Sequence, residues 1–165
     1  KPPAEKVGIG RANPDGISYL YIAENIKTAL LEVRPSNGQN VLVAEFKAPH
    51  ALNVVNLKNP RKDISFLSLS LNENFKSILK LVSLLEEFSK ELTLPVLPNR
   101  SRLDYIPTQF ITEFFKNLGN IGGIMFNSSF GKGFNLVVFS EESIRCVESK
   151  TIQSIKIDGV DITYV

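Results

Sequence analysis

Hydrophobic and polar positions change period sharply between Gly10 and Pro35. Ile17, Tyr19, Tyr21 and Ala23 fall on one side of an extended segment, with Leu20 and Ile22 on the other, which predicts a strand. The spacing then becomes helical: Ile26, Ala29, Leu30 and Val33 form an apolar face behind Asn25, a suitable N-cap, and Pro35 ends the run. Ahead of the strand, Asn13-Pro14-Asp15-Gly16 fixes one φ and permits a positive one. The unit therefore reads as turn, strand, helix. Arg11, Tyr21 ten residues on, and Glu32 eleven beyond that are its polar side chains with chemical capacity.

After a turn at Asn37-Gly38, Val41–Phe46 predicts the next strand and Leu52–Leu57 another short one, followed by a loop over Asn59–Lys62. The strongest helical pattern runs from Asn72 to Leu92, with Phe75, Ile78, Leu79, Val82, Leu85 and Leu92 on one face, and Pro95 and Pro98 stop it. A second helix is expected from Pro107 to Leu118 on the apolar positions Phe110, Ile111, Phe114 and Phe115. Ile124–Phe126 and Phe134–Phe139 read as buried strands around the Ser/Gly loop Asn127–Gly133, and a hairpin is expected across Asp158-Gly159. Strands and helices mix without regular alternation, so the expected class is α+β in a single domain over residues 1–165.

Composition narrows the picture modestly. With 165 residues, 43% hydrophobic, the chain is long enough to bury a core without staples. A net charge of +2 does not by itself argue for nucleic acid, and direct nucleic-acid binding is not expected. One cysteine, Cys146, excludes an internal disulfide framework; it reads as a buried or inert thiol in a reducing, cytoplasmic setting. No run approaches the roughly 20 apolar residues of a membrane span, so no membrane partner is expected. The single histidine, His50, follows Ala48-Pro49 in a loop with no catalytic motif around it, and without a His/Cys cluster no metal role is assigned. Lys58, Arg61, Lys62, Arg100 and Arg102 read as solvated loop charge rather than a functional basic rim.

Taken singly, the candidate site residues are ordinary by type: Arg11 a surface cation, Tyr21 a core aromatic, Ser128 and Ser129 turn residues. Glu32 lies in the last turn of its helix, where the dipole disfavours an acid by about 0.3–1 kcal/mol. Together three blocks carry more: G-R-A-N-P-D-G-I-S-Y-L-Y-I-A with its T-A-L-L-E continuation, D-Y-I-P-T-Q at 104–109, and G-I-M-F-N-S-S-F-G-K-G-F-N-L-V-V-F at 123–139. Their order, and the spacing of arginine, tyrosine and glutamate, resemble the RES-domain family of bacterial toxins related to ADP-ribosyltransferases.

The resemblance places the family's arginine, glutamate and serine on Arg11, Glu32 and Ser128, the last chosen over Ser129 by register from Phe126. Tyr21 matches the family's active-site tyrosine. It implies an ADP-ribosyltransferase-like β core with flanking helices, an activity that degrades NAD as substrate with no separate cofactor, and a helix-turn-helix antitoxin as partner. It also implies a further arginine-bearing strand upstream of the first block, so this chain is expected to be part of a longer protein. The chemistry is consistent with one acid. Nicotinamide in NAD is cationic and leaves neutral, so no general acid is needed, unlike ordinary glycosides. A single carboxylate, Glu32, can stabilise the oxocarbenium-like ribose. Arg11 suits the diphosphate, Tyr21 the nicotinamide ring, and Ser128, Ser129 and Asn135, with Gly131 and Gly133, the ribose. Water, phosphate or a macromolecule remain open as acceptors, as does a non-catalytic NAD-binding or partner-binding module.

Overall fold

The strands richest in buried apolar side chains, β4 (Gly123–Asn127) and β5 (Phe134–Val138), sit at the centre of a four-stranded sheet. The structure is a computed structural model that describes residues 7–62, 74–94 and 102–152. β5 pairs antiparallel with β4 on one side and with β1 (Leu20–Ala23) on the other, and β4 pairs in parallel with β3 (Val54–Asn56). The order is thus β1-β5-β4-β3. Register matches Tyr21 to Val137, Ala23 to Asn135, and Phe126 to Asn135. Side chains alternate along a strand and cross-strand partners share a face, so Tyr21, Asn135 and Phe126 stand on the same side of the sheet. That side also carries the main core, where Ile124, Phe126 and Val137 join Ala12, Tyr19, Leu57, Leu92 and Phe139.

Three helices flank the strands: α1 (Ile26–Val33), α2 (Phe75–Thr93) and α3 (Ile106–Asn117), the last entered through a 3-10 turn at Arg102–Tyr105. α2 follows its sequence pattern, with Val82 and Leu92 buried, and packs on β4. Helices and mixed sheets together make the fold α+β.

The other two helices depart from their apolar patterns. α1 is capped as expected, the Thr28 N–H donating to Asn25 Oδ1 at 2.9 Å. Its expected face is only half covered: Ala29 and Leu30 are half-buried, Ile26 and Val33 are exposed, and the fully buried residue is Thr28. Thr28 packs against Gly133, whose φ is +154° and where a Cβ would stand 2.4 Å from Thr28 Oγ1. The helix ends ahead of Pro35, capped by Arg34 in the left-handed region (φ 49°), with the Arg34 guanidinium 4.6 Å from the Phe130 ring centre. In α3 the expected apolar face is split: Ile111 and Phe115 are half-buried, and Phe115 packs against the core. Phe110 is 70% and Phe114 54% exposed, while Thr108, Gln109 and Thr112 are buried. Thr108 and Gln109 turn inward because their side chains satisfy backbone groups of the Arg11 loop, and Thr112 donates to the Thr108 carbonyl at 2.8 Å.

A second sheet pairs β2 (Val41–Lys47) antiparallel with β6 (Arg145–Ile152), with an irregularity between Glu45 and Phe46. β6, R-C-V-E-S-K-T-I, has too few apolar positions to announce itself as a strand. Cys146 on β6 is exposed, which removes the buried alternative of the expected buried or inert thiol: among the described residues β6 has only β2 as a strand neighbour. The hairpin expected across Asp158-Gly159 lies outside the described residues. No described helix is long and apolar enough to cross a membrane.

Candidate active site

The loop carrying Arg11 is held from behind by α3. Gln109 Nε2 donates to the carbonyls of Gly10 (2.8 Å) and Asn13 (3.1 Å), and Thr108 Oγ1 donates to the Arg11 carbonyl at 2.6 Å. These contacts give the D-Y-I-P-T-Q block its role, which is to brace the loop. Inside the loop, the Gly10 N–H donates to the Asn13 carbonyl at 2.9 Å. Gly10 cannot carry a side chain there, since a Cβ would lie 2.4 Å from Asn13 Oδ1 and 3.0 Å from the Tyr21 hydroxyl. Arg11 Nη1 donates to the carbonyl of Leu92 in the last turn of α2, one of the carbonyls a helix end leaves without an intrahelical partner.

Glu32 projects from α1 toward the turn between β4 and β5. Ser128 Oγ and Asn135 Nδ2 each donate to its Oε1 at 2.7 Å. Oε2 has no hydrogen bond among the described residues. The turn is itself fixed: the Ser128 N–H donates to the Gly133 carbonyl at 2.9 Å, and the Phe130 N–H to Ser128 Oγ at 3.2 Å. Ser129 points elsewhere, donating to the Thr93 carbonyl at the end of α2. The two serines thus divide the work. Ser128 steadies Glu32, and Ser129 ties the turn to α2.

Tyr21 reaches back from β1 to the loop, accepting from the Ala12 N–H at 3.1 Å and donating to Asn13 Oδ1 at 2.8 Å. The residue is 45% exposed, yet its hydroxyl is enclosed, and burial pushes that group up to about 12; the Ala12 N–H and the nearby Arg11 charge pull it down but do not prevail. Tyr19, two residues earlier, is buried against Phe139 and donates to Glu113 on α3, while Lys116 donates to the Tyr19 oxygen at 3.0 Å. Burial, and then the Glu113 carboxylate, raise the Tyr19 phenol far above its usual range.

Arg11, Tyr21, Glu32, Ser129 and Asn135 all line one cleft of about 190 Å³, together with Gly10, Asn13, Leu92 and Phe126. Ser128 stands behind Glu32 and is not part of the lining. Leu92 and Phe126 make an apolar wall, suited to a flat ring, beside the polar groups. Sequence reasoning passes over Asn13 as a turn residue, although it is buried and lines the cleft. Its only local signal is the N-P-D-G turn, which the amide also serves by donating to the Pro14 carbonyl. Of the loop cations, Arg61 makes a forked pair with Glu86 at 2.8 and 2.6 Å, and Lys58 lies 4.3 Å over the Phe134 ring. Arg100 and the Arg102 side chain lie outside the described residues.

An α+β domain thus holds one carboxylate, clamped by two donors, in a concave cleft at the sheet's core face that Arg11 also lines. The RES domain model matches residues 2–158, and the chain belongs to the RES domain family. No curated protein and no solved structure matches it.

Proposed function

We propose that this chain is an NAD-consuming enzyme that cleaves the nicotinamide–ribose bond, acting in the cytoplasm as the toxin of a toxin–antitoxin pair. The observation that carries the reading is the double clamp on one oxygen of Glu32, in a cleft it shares with Arg11 and Tyr21. A carboxylate held by two fixed donors is preorganised, so it does not have to reorient as positive charge develops on the ribose. Nicotinamide leaves as a neutral molecule and asks for no acid, which suits a cleft lined by a single carboxylate. Arg11 supplies paired N–H donors for the diphosphate. The apolar wall of Leu92 and Phe126, with the Tyr21 ring, receives the nicotinamide. Water or inorganic phosphate then takes the ribosyl group. A helix-turn-helix protein that covers the cleft is the partner this reading expects, and the 1–165 chain acts as one ADP-ribosyltransferase-like domain.

The test is release of nicotinamide from NAD by the purified chain, without any added macromolecule. Glu32→Gln keeps the shape and removes the charge, so turnover drops by at least about a hundredfold, a larger loss than any in NAD affinity. Wild-type turnover in Glu32→Gln would return Glu32 to an ordinary helix residue.

A further inference from the structure

The neighbours of Asn13 decide which way its amide faces. Nδ2 donates to the carbonyls of Gly8 (3.0 Å) and Pro14 (3.2 Å), and the reverse orientation would set an oxygen against both. Oδ1 therefore faces the Tyr21 hydroxyl at 2.8 Å and can only accept. The Ala12 N–H, 3.1 Å from the same hydroxyl, can only donate. A neutral phenol has one proton and two lone pairs. The proton goes to Asn13, one lone pair takes the Ala12 N–H, and only a lone pair is left to meet a ligand. Because burial pushes this phenol up to about 12, it stays in that state at neutral pH.

Glu32 presents the same polarity. Ser128 and Asn135 both donate to Oε1, which leaves Oε2 without a hydrogen bond among the described residues, as the acceptor that Glu32 brings to the cleft it lines. The β1–α1 side of the cleft thus offers lone pairs and no proton.

On the NAD reading above, we propose that this side selects the nicotinamide end by its hydrogen-bond donors: the cleft takes the carboxamide N–H groups and rejects a dinucleotide whose ring bears a carboxylate instead. The carboxylate would set lone pairs against the Tyr21 oxygen and Glu32 Oε2, and would bring a second negative charge beside Glu32. A site built around a substrate N–H discriminates strongly, because the analogue leaves its acceptors unpaired.

The experiment compares NAD with its deamido form, nicotinic acid adenine dinucleotide, on the full chain. Release of the pyridine base, with the inhibition constant of the acid form, should favour the amide by at least about a hundredfold in kcat/KM. Tyr21→Phe removes the acceptor and uncovers the Ala12 N–H, so this preference shrinks by at least about tenfold even as activity falls. Should that variant fold poorly, Glu32→Gln gives an independent answer by equilibrium binding. Ser128 and Asn135 hold the carbonyl of the new side chain, which leaves its NH2 group facing the cleft, and the binding preference for the amide dinucleotide narrows by a similar factor. A wild-type preference near unity, with both dinucleotides turned over, overturns the inference and leaves the NAD reading standing. Failure of both dinucleotides to bind overturns the inference and the NAD reading together.

Discussion

Glu32 owes its distinction to what converges on it and nothing to its position in α1. One oxygen receives two donors, Ser128 from the β4–β5 turn and Asn135 from β5, both far from Glu32 in sequence, and this fixes the direction of the other. Removing one donor should act through the carboxylate alone. Ser128→Ala leaves Asn135 in place and should lower turnover by about tenfold, the scale of one charge-assisted hydrogen bond, with NAD affinity within about threefold of wild type. In a Glu32→Gln background the same change should cost almost nothing further, since the two residues act as a unit. Additive losses in the double variant would show that Ser128 works on substrate directly. The resemblance to the RES family assigns Glu32, Tyr21 and Arg11 to one site, and they do share one cleft. Asn13 and Leu92 escape it because their contribution depends on backbone atoms, and no residue type advertises that.

At the scale of elements, α1 and α3 show where a periodicity argument fails. The pattern in α3 is a sound amphipathic helix, yet its most buried residues are Thr108, Gln109 and Thr112, while Phe110 and Phe114 are exposed and only Phe115 of the phenylalanines packs on the core. Apolar spacing finds the stripe of phenylalanines, but the loop around Arg11 has carbonyls to satisfy, and an unsatisfied buried carbonyl costs more than an exposed Phe. The strands present no such conflict. β4 and β5 are buried on their core face by Ile124, Phe126 and Val137, and continuous apolar runs find them. β6 escapes a pattern search because an exposed two-stranded ribbon imposes little on its sequence. A consequence is testable within one helix. Gln109→Leu strips the donor from two carbonyls and should destabilise the fold by about 1–3 kcal/mol in denaturant titration. Phe110→Ser, one residue on and 70% exposed, should stay within about 0.5 kcal/mol of wild type. The opposite ranking would restore the apolar face as the packed one.

For the molecule as a whole, two enclosed phenols set an alkaline limit. Tyr21 is raised from 10.0 to about 12, and Tyr19 further still, in both cases chiefly by burial. Below about pH 10 both are neutral in the folded and unfolded chains, and their contribution is fully present. As pH rises past about 10, the unfolded chain releases phenolic protons that the folded chain retains, so stability falls toward about pH 12. Denaturation midpoints should decline over that window. Phenolate absorbance in the native protein should lag the same signal in denaturant. Native and unfolded titrations that coincide would mean that neither hydroxyl is enclosed.

Several of the hydrogen bonds that assemble the cleft join residues far apart in the chain. Ser128 and Asn135 lie 96 and 103 residues from Glu32, Gln109 lies 99 from Gly10, and Leu92 lies 81 from Arg11. β1 has β5 as its sheet neighbour, so the strand bearing Tyr21 waits for a partner made over a hundred residues later. A ribosome emits the chain from its N-terminus, and contacts of such long range form late and slowly. The nascent polypeptide therefore carries Arg11, Tyr21 and Glu32 for most of its synthesis with no cleft to place them in. On the proposed reading, catalysis would therefore begin only after β5 has been made and paired with β1.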